Sequence, residues 1–292
     1  MYFIFYTFFY FLSLLPLRVL YIISDILYAI VFYVIKYRQD VVLKNLRQAF
    51  PEKSETERRL IAKRFYKNFV DSIMESLKLF STGEKFIKKH CTGNYAVLDR
   101  FYAENKSCQM HVAHHFNWEW LNRVISINMK QQLVGVYMPL SNQVFEKIVY
   151  QLRTKFGSVL LPATNMKNSF VEWRNKLHCL ILVADQNPGN PENAYWLNFF
   201  NKPTPFVKGP ERAARNKACP VVLALTKKIK RGYYYTDFSL LSEDVSKMEE
   251  GELTKKYVEA ITQSIVAQPE MWLWSHRRWK WNWKPEYGEI IN

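Results

Sequence analysis

One short segment gathers the side chains best able to move a proton: His111-Val112-Ala113-His114-His115-Phe116-Asn117-Trp118-Glu119-Trp120. It begins as a strand and reaches an asparagine suited to a helix N-cap, so it reads as a strand-to-helix corner. His114 and Glu119 are five positions apart, which on a continuous helix would set them about 140° from each other. They meet only if the chain turns between them. With that turn, Glu119 accepts the Nδ1–H of His114 and leaves Nε2 free to take a proton. This is the base and orienter of a hydrolase triad, with a substrate hydroxyl in place of the serine. A satisfied structural histidine accounts for the same residues. On extended chain His115 points away from His114, and spacing alone does not choose among His111, His114 and His115.

Three histidines and a glutamate also invite a metal reading. A helical metal site wants histidines at i and i+4, however, and His90, His178 and His276 have no ligand-spaced neighbours, so no metal and no cofactor is expected. Cys91, Cys108, Cys179 and Cys219 stand far apart without a Cys-x-x-Cys, which suggests neither a zinc ribbon nor a disulfide framework. They read as reduced, mostly buried thiols of a cytosolic compartment. Asp185 ends a buried apolar run, where a carboxylate is costly unless it is paired or used, although it would also serve as a turn cap. Arg153 reads on spacing as the solvent-facing charge of an amphipathic helix. Lys208-Gly209-Pro210 fits backbone that approaches a ligand closely, because glycine has no Cβ to obstruct it, and it fits a plain turn equally.

The elements that must position these groups are legible from periodicity. Ser54-Glu55-Thr56-Glu57 has capping-box spacing, and Leu60, Ile61, Phe65, Phe69, Ile73 and Leu77 then recur at helical intervals towards Gly83. Five apolar runs of strand length follow: Met110 to Val112, Leu133 to Tyr137, Val159 to Leu161, Cys179 to Ala184, and Val221 to Leu225. Helical spacing separates them, as at Val144, Ile148, Leu152 and Phe156. A last helix carries Leu253, Tyr257, Ile261 and Ile265 and stops at Pro269. Strands alternating with helices predict one α/β domain, a mixed but largely parallel sheet flanked by helices, with the working residues at strand ends.

The 292 residues are 49% apolar and 23% charged, which excludes a disordered chain, and nine glycines are too few for glycine-rich repeats. A formal net charge of +15 points to an anionic partner: nucleic acid, an acidic carrier protein or a phospholipid surface. Residues 1–35 are a different material, densely apolar, with Arg18 and Asp25 as the only formally charged side chains. No positive stretch precedes the run and no small-residue cleavage site follows it, unlike a secretory signal peptide. Positive charge follows instead at Lys36, Arg38, Lys44 and Arg47. The reading is an uncleaved N-terminal membrane-anchor helix over 1–35, with residues 36–292 as a cytoplasmic catalytic domain. A buried helical hairpin is the alternative. Near the C-terminus, Trp272, Trp274, Trp279, Trp281 and Trp283 interleave with Arg277, Arg278, Lys280 and Lys284. Such a cluster stacks on single-stranded nucleic acid or seats a protein among headgroups, and an apolar anchor favours the second, with some of the tryptophans in the core.

The segment His114 to Trp120, followed in order by Val136-Tyr137-Met138-Pro139-Leu140, Leu182-Val183-Ala184-Asp185-Gln186, Phe199-Phe200, Gly209-Pro210-Glu211 and Trp274 to Lys280, resembles the late lipid A acyltransferases. These are membrane-anchored bacterial enzymes of the wider lysophospholipid acyltransferase superfamily, and the likeness runs from the anchor to the closing Trp and Arg cluster. It implies a glycerol-3-phosphate acyltransferase-like fold and a signature of His, four residues and an acid, which falls on His114 as general base and Glu119 as its orienter. It also implies an arginine at Arg153 and an aspartate at Asp185. Asn117, Lys208 and Gly209 join them as candidate substrate contacts. Expected partners are acyl carrier protein as acyl donor, a lipid A precursor as acceptor and inner-membrane lipids, with no nucleic acid. The chain departs from the family at Met138, where arginine is usual, at Phe116, often glycine, and at His115, usually Tyr or Phe. Met138 bears on how an anionic substrate group is held, and Phe116 on a tighter pocket beside the base. Acylation of another membrane lipid, or a silent basic protein that binds lipid or nucleic acid, are the rival readings.

Overall fold

The computed structural model describes residues 1–291. The apolar N-terminus forms α1 (Tyr2–Leu14) and α2 (Leu17–Ala29), separated at Leu15-Pro16, and α2 runs on through a π-helical turn to Ile35. Then come α3 (Gln39–Ala49), α4 (Glu55–Lys78), α5 (Glu84–His90), β1 (Cys91–Gly93), α6 (Ala96–Ala103), β2 (Cys108–Val112) and α7 (Trp118–Asn128). The chain continues through β3 (Gln132–Tyr137), α8 (Gln143–Thr154), β4 (Val159–Pro162), the single turn α9 (Met166–Ser169) and β5 (His178–Val183). It closes with β6 (Ala194–Phe199), β7 (Lys202–Val207), α10 (Gly209–Lys217), β8 (Val221–Lys230), β9 (Tyr233–Ser242), α11 (Glu252–Ala267) and β10 (Ile290–Ile291).

Seven strands form the main sheet in the order β1-β9-β8-β2-β5-β3-β4. Every pair is parallel except β8 with β9. All five apolar runs are strands of this sheet, and β2 is its middle strand, buried at every position. The predicted capping box is present: Ser54 N–H donates to Glu57 Oε2 at 2.7 Å, and the Ser54 side chain accepts from Glu57 N–H. A small sheet of β10, β6 and β7 adds a hairpin that periodicity did not reveal.

The two N-terminal helices lie one after the other along the body, α1 running from α8 to the end of α4 and α2 continuing along α4. Lys78 Nζ donates to the carbonyls of Ser13 and Leu15 at 2.6 and 2.7 Å, capping the chain where α1 breaks. Tyr21 and Ser24 of α2 donate to Glu75 and Asp71 of α4. Gly232, in the β8–β9 turn at φ +75°, is required twice, because L side chains rarely adopt that conformation and a Cβ there would collide with Tyr21 Oη. Phe3, Ile4, Phe8, Phe11, Ile22 and Ile26, by contrast, remain exposed. The segment Leu17–Ile35 is long and apolar enough to cross a bilayer.

Candidate active site

The strand register assembles the site. Val112 ends β2 opposite Val183, the end of its parallel neighbour β5. His114 and Asp185 each lie two residues further on, so both emerge from the same edge of the sheet, the usual place for function in open α/β sheets. His114 Nδ1 is 2.6 Å from Asp185 Oδ1, and the His114 backbone N–H donates to Oδ2 at 2.8 Å. Trp272 Nε1–H donates to Oδ2 at 2.7 Å. Burial alone would push the Asp185 carboxyl up, but the neighbouring imidazole and these donors outweigh it and hold the group well below the usual carboxylate range. An ionised Asp185 fixes the proton of His114 on Nδ1. Nε2 then faces outward with a lone pair, 3.1 Å from the Gln186 side-chain amide nitrogen.

This arrangement corrects the expected partner of His114. The carboxylate that faces its imidazole is Asp185, not Glu119. Glu119 lies at the first turn of α7, where Arg153 of α8 takes it through Nε at 3.0 and 3.2 Å and through Nη2 at 2.5 Å. Trp118 Nε1–H adds a bond at 3.1 Å. Arg153 is thus an ion-pair partner rather than a solvent-facing charge. Burial opposes its charge, and Glu119 more than compensates, raising its pKa above the ordinary value. His114, Glu119 and Arg153 all line one cavity of about 560 Å³, walled also by Leu160, Leu182 and Leu273. That volume lies within the ~300–1,000 Å³ of small-molecule sites.

The other candidates sort by what they touch. Asn117 is buried and bound within the protein: Oδ1 accepts the N–H groups of Glu119 and Trp120, Nδ2 donates to Glu75 at 2.9 Å, and the residue lies outside the cavity wall, away from substrate. Lys208 and Gly209 open α10 and lie outside the cavity wall, with Lys208 Nζ 4.8 Å from the centre of the Tyr195 ring. No protein atom lies within 4 Å of a Cβ built on Gly209, so packing does not demand glycine there. Phe116 is buried against Phe65 and Trp118 rather than beside the base, so it does not narrow the cavity. Met138 does line the cavity. His111 and His115 are buried, and burial pushes each down to about 4. Trp272 and Trp274 are core residues, unable to stack on a ligand. Among the described residues no cluster has the composition of a metal site. Periodicity missed Gln186 and Trp272. The signal for Gln186 was its place directly after an acid at a strand end, and Trp272 had none beyond its type.

A mostly parallel α/β sheet thus carries a carboxylate-paired histidine at the end of its middle strand, opening on a largely apolar cavity, an arrangement able to take a proton from a bound hydroxyl. Comparison with known sequences gives the family. Residues 1–281 match the bacterial lipid A biosynthesis acyltransferase family, and the chain belongs to it. It is similar to the lipid A biosynthesis palmitoleoyltransferase of Escherichia coli K12, 22% identical over 248 residues covering 84% of this chain and 80% of that protein. A lipid A biosynthesis acyltransferase of Shigella flexneri matches to the same extent. The acyltransferase 2 of that organism is 24% identical over 157 residues, 53% of this chain and 49% of its own.

Proposed function

We propose that the protein moves a fatty acyl chain from an acyl carrier protein thioester to a hydroxyl of a lipid A precursor, on the cytoplasmic face of the inner membrane. The observation that carries this reading is the His114–Asp185 pair at the mouth of an apolar cavity. The acceptor hydroxyl takes the place of the Gln186 amide at Nε2. Its oxygen attacks the thioester carbonyl carbon as His114 takes the proton, and Asp185 stabilises the imidazolium. When the carbon–sulfur bond breaks, the proton passes to the departing sulfur and the base is restored. Glu119 and Arg153 hold the polar part of a substrate in the cavity wall. The +15 charge suits an acidic carrier protein through electrostatic steering.

Residues 1–35 act as the membrane anchor of the catalytic domain over 36–292, and the packing of both helices along the body favours lying in the bilayer surface over crossing it. Asp25, near the middle of the apolar segment, pairs with Arg231 at 2.7 Å and with Lys67 at 3.3 Å. Were α2 to span, that ion cluster and the β8–β9 turn would sit at mid-bilayer depth, where charge is costly. Phe5 and Phe9 of α1 pack on Phe145 of α8, the helix that brings Arg153 to the cavity, so α1 adjoins the site.

Mass spectrometry of lipids from cells with and without the protein tests the reading. A missing secondary acyl chain on lipid A supports it. Loss from an aminolipid or phosphoglycolipid moves the acceptor, and unchanged lipids leave a silent binder.

A further inference from the structure

We propose that Glu75 is a positioning residue for the catalytic corner, and that its bond to Tyr21 makes correct seating of the N-terminal helix α2 a condition for a correctly placed His114. The inference rests on the acyl-transfer reading of that corner. Glu75 is 0% exposed in the last turn of α4, and among the described residues no Lys, Arg or His nitrogen approaches within ion-pair distance of it. Three neutral donors from three separate parts of the chain converge on it instead. Tyr21 of α2 donates to Oε1 at 2.7 Å. Asn117, the N-cap of α7, and Tyr234 of β9 donate to Oε2 at 2.9 and 2.7 Å. The Glu75 backbone carbonyl accepts Trp120 Nε1–H at 2.8 Å.

A buried carboxylate without a cation is expensive, and apolar residues would fill the same space at lower cost. What the carboxylate supplies is direction. By accepting one N–H of the Asn117 side-chain amide, it orients that amide so that Oδ1 meets the Glu119 and Trp120 N–H groups. Asn117 therefore fixes where α7 begins, three residues after His114. Other ties of the corner run to the sheet, to α11 and to the C-terminal segment: His114 to Asp185, His115 Nε2 to the Ser264 hydroxyl at 3.3 Å, and Phe116 N–H to the Met271 carbonyl at 3.0 Å. Glu75 is a tie that leads to the anchor. One turn earlier on α4, Asp71 repeats the pattern, accepting from Ser24 at 2.7 Å while paired with Arg231. The two carboxylates together seat α2 on α4.

The test compares full-length Glu75→Leu, Glu75→Gln, Tyr21→Phe and Asn117→Ala in phospholipid nanodiscs, with acyl carrier thioester and a lipid A precursor, at matched folded protein. Glu75→Leu should lower kcat by about 10²-fold, the scale of a small misplacement of reacting groups, and move KM far less. Glu75→Gln keeps an oxygen for Asn117 and Tyr234 and can turn its amide towards the Tyr21 oxygen, so it should restore most of the rate. Tyr21→Phe should fall between them with membrane retention unchanged. Combining Glu75→Leu with Asn117→Ala should cost no more than the worse single change, because both act through one bond. Wild-type kcat in Glu75→Leu, a Gln variant no better than Leu, or additive losses would each overturn the proposal. If Glu75→Leu does not fold, Tyr21→Phe decides, and wild-type kcat there counts against coupling. If the wild type transfers no acyl group, the functional reading fails separately. The ¹⁵N resonance of His114 Nδ1 then reports the coupling, displaced in Tyr21→Phe if the proposal holds and unmoved if it does not.

Discussion

At the scale of single residues, the site turns on which carboxylate faces the imidazole. Asp185 holds His114 by side chain and backbone at once, whereas Glu119 is committed to Arg153. Replacing the Asp185 carboxylate with an amide offers His114 Nδ1 a donor as readily as an acceptor and removes the charge that stabilises the imidazolium. Asp185→Asn should therefore lower kcat by ~10²–10⁴, as His114→Ala should, and by more than Glu119→Gln, whose loss should appear chiefly in KM. Steady-state kinetics with acyl carrier thioester settle it, and a Glu119→Gln loss in kcat equal to that of Asp185→Asn would return the orienter role to Glu119. His114 was legible because its residue type, its corner and the family likeness agreed. Its partner was not, since 71 positions separate His114 from Asp185 and only the parallel pairing of β2 with β5 closes that gap. Glu119 stood at a spacing that permitted contact, and Arg153 took it first.

Among the elements, the strands read correctly are those buried on both faces, where an unbroken apolar run is the signature. β9 escaped because its sequence alternates around Tyr233, Tyr235 and Asp237 and pairs antiparallel beside the parallel set. β6 and β7 escaped because prolines at 203 and 205 disguise β7, and because their turn uses Phe200 and Asn201 at positive φ in place of glycine. The long helix α4 was plain from its capping box, but periodicity cannot show that its buried face carries acids. Burial pushes the Glu75 carboxyl up, with its hydrogen-bond donors working the other way. A raised carboxyl contributes stability fully present below its unfolded value, and that contribution is lost as pH rises through the folded value. Thermal unfolding of wild type and Glu75→Gln should consequently differ least near pH 4 and diverge in favour of the glutamine as pH rises. A difference independent of pH would mean that Glu75 does not titrate with folding.

For the whole molecule, acid is the vulnerable side. His111, His115 and His276 are all pushed down to about 4 by burial, with the Arg278 charge adding to the effect at His276. A depressed histidine contributes stability that is complete above its unfolded value of 6.5 and is lost as pH falls towards 4. The unfolding midpoint should drop steeply between pH 6.5 and 4, and a His111→Gln variant, whatever its absolute stability, should show a shallower fall. The membrane arrangement has its own check. Salt and carbonate washes should leave the protein in the membrane fraction, since they screen charge but not apolar burial. Protease added to inverted inner-membrane vesicles should remove an N-terminal tag if the two helices lie in the surface and spare it if α2 spans. The proposed anchor also bears on how substrate is found. Tyr2 reaches Gln151, Lys78 holds the break between the helices and Arg231 grips Asp25, tying both helices to the body that carries the cavity. With the proposed seating in the bilayer surface, an enzyme moored in this way would keep a constant attitude to the lipid plane. Its search for a membrane-borne acceptor would then be two-dimensional, with the mouth of the site presented at one height.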